Sequence, residues 1–255
     1  MNEDAVYLSN FVPVVSHKKH LKVPKDTFEK EKQDYAMALT IGLQTKSSYI
    51  VVIEDDAMPV HNLLSTLRVI LRYKMPWSWL RSNSNSAFLK LYYPEKWQGF
   101  GFPEVPEVIC ITFLISSVIT FLQKRLQNLS HPLILIVLFI AWAIFSLLLM
   151  YSVGRQHLIE IRKISPYLHT ISHAPGCCTP AVLYNRLQAK QLLRFLKNSH
   201  CSRTYPLDFA LDDFAKRLHL HRYLVTPNLF THVGVYSSLH STPKHYREFD
   251  LLFEP

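Results

Sequence analysis

The chain has 255 residues, of which 49% are hydrophobic, and a formal net charge of +9. This length is enough for one sizeable core or two small ones, and the hydrophobic content is ordinary for a globular protein. The positive charge is spread along the chain. Its densest cluster, at residues 18–22, is more typical of a solvated loop or a lipid-headgroup contact than of a nucleic-acid site. We therefore expect no nucleic-acid partner.

The first part of the chain predicts an extended segment followed by a helix. Residues 6–15 favour the extended segment, and no basic region with an apolar core opens the chain, so no N-terminal anchor is expected. Asp26 or Thr27 is suited to cap the helix. The apolar side chains on one side of this predicted helix are Phe28, Tyr35, Leu39 and Leu43.

A short strand followed by three carboxylates is the strongest functional signal. Residues 49–53 are rich in β-branched side chains, a pattern that predicts a strand buried on both faces. Glu54, Asp55 and Asp56 follow it directly. Ligands of open α/β sheets sit at the carboxyl ends of strands, and a divalent cation would neutralise three adjacent anionic groups. The local pattern is equally compatible with a solvated turn that leads into the next helix.

The next two elements complete an alternating series. Apolar residues between Leu63 and Leu71 indicate an amphipathic helix that ends before Met75 and Pro76. Residues 87–93 alternate sufficiently to predict another strand. The succession of helix, strand, helix and strand predicts an α/β layered domain in residues 1–104.

Two apolar runs then predict a transmembrane hairpin over residues 105–151. Residues 132–151 carry no charged side chain and match the roughly 20 residues needed to cross hydrocarbon. Residues 106–122 are a weaker candidate because Glu107 lies near their start. Two buried core helices are the alternative interpretation.

The hairpin fixes the compartment of the rest of the chain. Lys124 and Arg125 lie in the link between the two runs and favour a cytoplasmic position for that link. Because a hairpin returns the chain to the face that it left, residues 1–104 and 152–255 are expected to share the lumen or the exterior. Contact with membrane lipid follows from the same reasoning.

The cysteines do not have the spacing of a zinc site. Cys177 and Cys178 are adjacent, and Cys201 follows them. In a lumenal domain, one member of the adjacent pair could form a disulfide with Cys201.

A second acidic cluster follows the hairpin. Residues 169–183 are expected to begin as a loop, and residues 187–196 predict a helix. Asp208 and Asp212 then fall on one helical face. Asp208 is expected to be a helix N-cap, whereas Asp212 and Asp213 are harder to explain as structural residues.

The last candidate is a single histidine. Residues 223–234 predict a strand and a turn that presents His232 shortly before a glycine. An isolated histidine is more often structural than functional, so the residue gains weight only from its context.

Three motifs, in this order, resemble those of GT-A glycosyltransferases. They are Val-Val-Ile-Glu-Asp-Asp-Ala at 51–57, Leu-Asp-Asp at 211–213 and Pro-Asn-Leu-Phe-Thr-His-Val-Gly at 227–234. The apolar hairpin between the first two makes the match narrower. The chain is similar to the post-GPI-attachment GalNAc-transferase family, Golgi enzymes that add N-acetylgalactosamine to the glycan of glycosylphosphatidylinositol (GPI) anchors. Residues 90–99 and 176–184 also resemble that family.

The resemblance implies a fold, a location and a reaction. The fold would be α/β, a partial GT-A domain with a Rossmann-like mixed sheet, interrupted by a two-helix transmembrane hairpin at residues 105–151. The protein would be a multi-pass Golgi membrane protein with lumenal soluble parts and a cytoplasmic hairpin loop. UDP-GalNAc would be the donor, and the mannose of a GPI glycan, including that of GPI-anchored proteins, would be the acceptor.

The resemblance also implies a metal site. Mn²⁺ would bridge the donor diphosphate and the acidic triad, and carboxylates suit such a hard cation. Asp56 is the best direct ligand, with Asp55 and Glu54 positioning the metal, its waters or the donor ribose. His232 matches the C-terminal histidine that completes such a metal shell.

The catalytic base and the extent of the chain complete these expectations. In the family's inverting transfer, Asp213 or Asp212 would deprotonate the acceptor hydroxyl. The chain before the acidic triad is shorter than in GT-A domains and lacks the family's membrane anchor, so we expect a truncated chain without the first nucleotide-binding unit. The alternatives are a catalytically inactive membrane protein that serves as a binding or assembly module, and a small hairpin channel or receptor subunit.

Overall fold

The described part of the chain is a mixed α/β structure with two long apolar helices. The structure is a computed structural model that describes residues 24, 26–75, 85–234, 236–237 and 242–243. The extended segment expected at residues 6–15 and the basic cluster at residues 18–22 lie outside the described residues.

The strands form one larger sheet and two small ones. In chain order the strands are β1 (Tyr49–Ile53), β2 (Ala57–Pro59), β3 (Ser86–Lys90), β4 (Thr170–His173), β5 (Ala181–Asn185), β6 (His221–Thr226), β7 (Phe230–His232), β8 (Tyr236–Ser237) and β9 (Thr242–Pro243). The larger sheet has five strands in the order β1-β5-β3-β6-β4. Only β3 and β6 are parallel neighbours in it. β2 pairs with β7, and β8 pairs with β9.

The structure has seven α-helices among the described residues. In chain order they are α1 (Thr27–Gln44), α2 (Leu63–Val69), α3 (Val105–Leu126), α4 (Pro132–Val153), α5 (Arg155–Glu160), α6 (Arg186–Lys197) and α7 (Leu207–Arg217). A π-helical segment, Ile70–Lys74, continues α2. Short 3-10 helices lie at Glu95–Trp97, Phe102–Glu104, Ile161–Ile164 and Pro166–Leu168.

One face of the larger sheet is covered by α1, α6 and α7. The cap and the apolar side predicted for α1 are confirmed: the Asp26 carboxylate accepts a hydrogen bond from the Phe28 N–H at 2.9 Å, and all four predicted apolar side chains pack in this core. The Tyr35 and Tyr184 hydroxyl oxygens lie 2.6 Å apart between α1 and β5. Each buried hydroxyl therefore has a polar partner.

The other face is covered by α2, its π-helical continuation and the β2–β7 pair. Leu67 and Ile70 pack there with Leu89 of β3, Leu183 of β5 and Phe230 of β7. The amphipathic helix predicted between Leu63 and Leu71 is therefore confirmed. Its ending before residue 76 is also confirmed, since the helical segment ends at Lys74.

The burial predicted for β1 is wrong, whereas the strand predicted at residues 87–93 is confirmed as β3. β1 is an edge strand, and Val51 and Ile53 are 36% and 48% exposed although Val52 is buried. β3 lies at the centre of the sheet, and all five of its residues are buried rather than alternating. Burial follows the position of a strand in the sheet, which the hydrophobicity of the strand itself does not encode.

The region after the hairpin is more regular than expected. The predicted loop at residues 169–183 contains β4 and the start of β5. Antiparallel pairing of β4 with β6 makes this segment a strand despite its small residues. The helix predicted at residues 187–196 is confirmed as α6, and the Asn185 side chain caps it by accepting from the Gln188 N–H at 2.8 Å.

The two apolar runs form the antiparallel helices α3 and α4. Each has 22 residues and is long and apolar enough to cross a membrane. In the most apolar window of each helix 11% of the residues are buried, so the interpretation as two core helices of a soluble protein is wrong. The Trp142 indole N–H donates to the Gln123 side chain at 2.9 Å and ties the two helices together near the turn.

Charged side chains tie the base of the hairpin to the sheet domain. Arg162 forms an ion pair with Glu107 of α3 and donates to the Thr170 hydroxyl of β4 at 2.8 Å. The Lys74 ammonium donates to the Tyr167 carbonyl at 2.6 Å. The segment that follows α4 is thus bonded both to the hairpin and to the sheet.

The expected disulfide to Cys201 is wrong. Cys177 and Cys178 are joined to each other, and Cys201 is free and buried in the core under α1, α6 and α7. Both bonded cysteines have left-handed φ values, 86° and 70°. The adjacent pair lies in the β4–β5 connection, so neither cysteine reaches the helical core.

The helical core predicts a clear difference between two phenylalanines of α7. Phe214 is 1% exposed and Phe209 is 57% exposed. Phe214→Ala should destabilise the protein by about 3–5 kcal/mol because it leaves a cavity, whereas Phe209→Ala should have little effect. Thermal melting of the purified protein in detergent measures both, and equal losses in the two variants would contradict this packing.

Candidate metal centre

The β2–β7 pair brings the acidic triad to the C-terminal histidine. Ala57 lies opposite His232 in the antiparallel register. The residue before Ala57 is Asp56, and its Oδ2 lies 2.8 Å from Nε2 of His232. The sequence prediction that these two residues share one site is consistent with this geometry.

Glu54 joins this pair from the end of β1. Its backbone N–H donates to the Pro180 carbonyl at 2.8 Å, and its carboxylate accepts from the Thr179 hydroxyl at 2.6 Å. Burial raises the pKa of Glu54; the Thr179 hydrogen bond opposes this shift, and the nearby Asp56 charge adds to it. A bound cation would relieve the repulsion between the two carboxylates.

Glu54, Asp56 and His232 can together hold a divalent cation. Their ligand atoms all lie within 4.8 Å of one another, and each side chain is partly accessible. Two carboxylates and one imidazole are suitable ligands for a cation such as Mn²⁺. The residues therefore fit the metal that the resemblance implies.

Asp55 does not belong to this group of three. It lies in the turn between β1 and β2, and its side chain is exposed. The chain turns here, with the Ala57 N–H donating to the Glu54 carbonyl at 3.2 Å, and Asp55 lies on the solvent side of this turn. The resemblance gave Asp55 and Glu54 the same role beside Asp56, whereas the geometry groups Glu54, and not Asp55, with Asp56 and His232.

The backbone around Asp56 leaves room for its carboxylate. The Val233 N–H donates to the Asp56 carbonyl at 2.8 Å. A Cβ atom on Gly234 would collide with the Asp56 side chain. Gly234, the glycine noted after His232 in the sequence, is therefore required by the close approach of this carboxylate.

The segment that leads to the hairpin contacts His232 and is held by a buried polar network. The Tyr92 and His232 rings lie with their centroids 5.8 Å apart. Asn228 is buried and bonds both the N–H and the carbonyl of Tyr93, at 3.1 and 2.7 Å, and its amide donates to Glu95 at 2.7 Å. The segment that leads to the hairpin is thereby fixed to the β6–β7 connection.

The loop at residues 175–180 runs past the metal candidates and is supported by a buried lysine. The Lys90 ammonium donates to the carbonyls of Cys177 and Pro175. Burial lowers the pKa of Lys90 to about 8, although the negative charges of Asp208 and Asp212 oppose this shift. Thr179, whose hydroxyl donates a hydrogen bond to Glu54, lies in the same loop.

The two predicted base residues have different surroundings. Asp212 forms an ion pair with Arg222 of β6, and a Cβ on Gly176 would lie 2.6 Å from its Oδ2. Asp212 thus faces the loop at residues 175–180. Asp213 is bonded to the Tyr205 hydroxyl at 2.7 Å and to Arg217, whose hydrogen bonds lower the pKa of its carboxyl group.

Asp208 and Glu31 were not predicted as site residues. Asp208 is in the first turn of α7, and the expected N-cap role is wrong because Pro206 occupies that position. Burial raises the pKa of Glu31 to about 7, and the charges of Asp208 and Glu54 contribute to the shift. The spacing of Asp208 and Asp212 on one helical face was the available signal for Asp208, whereas nothing in the sequence indicated Glu31.

Comparison with protein families agrees with the arrangement of these elements along the chain. The model of the family described as GPI-N-acetylgalactosamine transferase PGAP4 matches residues 1–231. The matched segment includes the acidic triad, the hairpin and α7, and it ends one residue before His232. No solved structure matches the chain. The chain belongs to the GPI-N-acetylgalactosamine transferase PGAP4 family, a family of glycosyltransferases.

Proposed function

We propose that the protein transfers N-acetylgalactosamine from UDP-GalNAc to a mannose of a GPI glycan, with a bound divalent cation and with inversion at the sugar carbon. The observation that carries the proposal is the group formed by Glu54, Asp56 and His232. A nucleoside diphosphate leaving group requires positive charge beside it, and this group is suited to hold that charge. The family match supports the choice of sugar and of a GPI acceptor.

We propose Mn²⁺ as the cation, held by these three residues. When bound, Mn²⁺ would neutralise the negative charge that develops on the UDP leaving group. Thr179 orients Glu54, and the Tyr92 ring restricts His232, so the ligands are positioned by their neighbours. Asp55 faces solvent beside them, a position suited to contact the donor ribose.

We propose that the sheet is a GT-A-like domain built from residues 1–104 and 152–255. Glu54 follows the edge strand β1, and Asp56 and His232 lie at paired ends of β2 and β7, at one side of a mixed α/β sheet. Residues 105–151 form the hairpin. With Lys124 and Arg125 in the cytoplasm, the hairpin would hold both soluble segments on the lumenal side of a Golgi membrane.

We propose Asp208 as the general base. In the transfer, the acceptor hydroxyl oxygen bonds to the sugar carbon, the bond to UDP breaks, and UDP leaves with the electron pair. The hydroxyl proton must pass to a carboxylate. Arg222 already neutralises Asp212, and Arg217 neutralises Asp213.

The position of Asp208 supports this choice. It lies one helical turn before Asp212 on the same face of α7. Its charge acts on both Glu54 and Lys90, so it lies within electrostatic reach of the metal candidates and of the loop beside them. Asp212, through Arg222 and the loop at residues 175–180, is then a positioning residue, and Asp213 stabilises α7.

The metal proposal predicts different effects for two adjacent aspartates. Asp56→Asn should weaken Mn²⁺ binding by at least about 10- to 100-fold because it removes a charged ligand. The matched control, Asp55→Asn, should bind nearly as well as the wild type. Calorimetric titration of the purified protein with MnCl₂ measures both affinities. An equal loss in the two variants would contradict the group of three ligands.

The base proposal predicts an order among the three aspartates of α7. Asp208→Asn should lower kcat by about 10²- to 10⁴-fold without changing Mn²⁺-dependent UDP binding. Asp213→Asn should have the smallest effect on kcat, because its partners are Tyr205 and Arg217. Transfer of radiolabelled N-acetylgalactosamine to a GPI-anchored acceptor measures kcat. A larger loss in Asp212→Asn than in Asp208→Asn would assign the base to Asp212.

The pKa of Glu31 predicts a pH-dependent stability. The pKa is raised from 4.5 to about 7, so between these pH values the folded protein binds more protons than the unfolded chain. The free energy of unfolding should therefore fall by about 2–3 kcal/mol as the pH rises through this window. Glu31→Gln should remove this fall. Melting temperatures between pH 5 and 8 test it.

Glu29 of the same helix provides a control of opposite sign. Burial opposes its ionisation, but hydrogen bonds from Lys32 and from the Cys201 N–H outweigh burial and lower the pKa of Glu29. Its contribution to stability is present at neutral pH and is lost as the pH falls. Glu29→Gln should therefore lower the melting temperature at pH 7. If Glu31→Gln kept the pH dependence of the wild type, the raised pKa of Glu31 would not be its cause.

A further inference from the structure

A cavity lies between the two apolar helices and the segment that follows them. Its volume is about 490 Å³, within the roughly 300–1,000 Å³ of typical ligand sites. Most of its lining is aliphatic or aromatic. The hydrophobic residues that define it within the helices are Ile111, Ile115, Ile119, Phe145 and Leu149.

The cavity follows one leaflet of the membrane. On α3 its lining runs from Glu107 to Ile119, a rise of about 18 Å along a helix. Hydrocarbon cores are about 30 Å thick, so the cavity begins at one surface and reaches slightly past the midplane. This depth suits one hydrocarbon chain of a lipid, lying parallel to the helices.

One end of the cavity is charged. Glu107, Arg155 and Arg162 line it there. Arg162 is occupied by its ion pair with Glu107. Arg155 is almost buried and lies 3.7 Å from Glu104, yet its Nε has no hydrogen-bond partner among the described residues. A buried guanidinium with an unused donor is suited to an anionic oxygen, and above all to phosphate.

We propose that this cavity binds the lipid of the GPI acceptor, with one hydrocarbon chain between α3 and α4 and the lipid phosphate at Arg155. This inference rests on the proposed function, which supplies a lipid-linked acceptor. The apolar part matches the chain, and the charged end matches the phosphodiester that joins the lipid to inositol. In the bound GPI lipid, the phosphate would lie at the base of the hairpin.

The position of the charged end favours the acceptor lipid over a lipid of the opposite leaflet. Arg155 directly follows α4, at the hairpin end that leads into the sheet domain, whereas Arg125 lies at the other end. Arg162, beside the cavity, is bonded to Thr170 of β4, the outer strand of the sheet. A glycan attached to the bound lipid would therefore emerge on the side of the membrane that carries the candidate metal centre.

The first test compares adjacent leucines of α4 with two forms of one acceptor. Leu149 lines the cavity, and Leu148 is exposed on the same helix. The substrates are a GPI-anchored protein in detergent and the same protein after a GPI-specific phospholipase D has removed its phosphatidic acid, that is, the lipid together with its phosphate. Leu149→Trp should raise KM for the lipid-bearing acceptor about 10-fold and leave kcat and the KM for the delipidated acceptor unchanged. Leu148→Trp should match the wild type.

A second pair of variants, on α3, distinguishes a filled cavity from misfolding. Ile115→Trp on α3 should repeat the effect of Leu149→Trp, and Leu114→Trp on its exposed side should repeat that of Leu148→Trp. Arg155→Gln should also raise KM only for the lipid-bearing acceptor, while Arg125→Gln should not. Equal effects on both acceptors, or on cavity and control variants, would overturn the proposal.

A direct binding assay separates this proposal from the proposed function. The protein in phosphatidylcholine nanodiscs is irradiated with phosphatidylinositol that carries a diazirine in one acyl chain. Labelling of α3 and α4 should occur in the wild type and fall in Leu149→Trp, but not in Leu148→Trp. Unlabelled phosphatidylinositol should compete, and diacylglycerol, which has the hydrocarbon chains but no phosphate, should compete less. If labelling is intact but no sugar is transferred, only the proposed transferase activity is rejected. If labelling is the same in Leu149→Trp as in the wild type, the lipid site is rejected.

Discussion

The antiparallel pairing of β2 with β7 is the interaction on which the rest of the site depends. It places Ala57 opposite His232 and so joins Asp56 to a histidine that is distant in the chain. The hairpin and most of the sheet lie between these two segments along the chain. A shift of this short pairing by one residue would turn alternate side chains to the other side and separate the ligands. The collision that a side chain on Gly234 would cause with Asp56 shows how closely the two segments approach.

The loop at residues 175–180 connects this centre to α7. At one end, Thr179 bonds Glu54; at the other, Asp212 packs against Gly176. Lys90 supports the loop by donating to the carbonyls of Pro175 and Cys177. The candidate metal ligands and Asp212, one helical turn from the proposed base Asp208, therefore lie on either side of one supported loop, and a displacement of this loop would change both. The bond between Cys177 and Cys178 restricts it further.

Polar contacts tie the hairpin to the sheet domain. Ion pairs at its base connect α3 with the segment after α4, and Arg162 continues this connection to β4. Asn228 makes a similar connection between the entry to the hairpin and the β6–β7 turn. The position of the sheet relative to the two apolar helices is thus set by buried or partly buried polar contacts at both ends of the insertion. A membrane-bound acceptor would encounter a site held at a fixed height above the lipid.

Local features of the sequence determined the elements themselves: the cap and apolar side of α1, the two long apolar helices, and the three carboxylates after a strand. These depend on composition and spacing within one segment, and resemblance to known motifs added the family. The tertiary structure alone decided that β1 is an edge strand, that Glu54 rather than Asp55 accompanies Asp56 and His232, that Arg217 and Tyr205 engage Asp213, and that Cys177 bonds Cys178. Each of these depends on which distant segments become neighbours, because burial, charge pairing and ligand distance are properties of contacts between segments and are not written in any one of them.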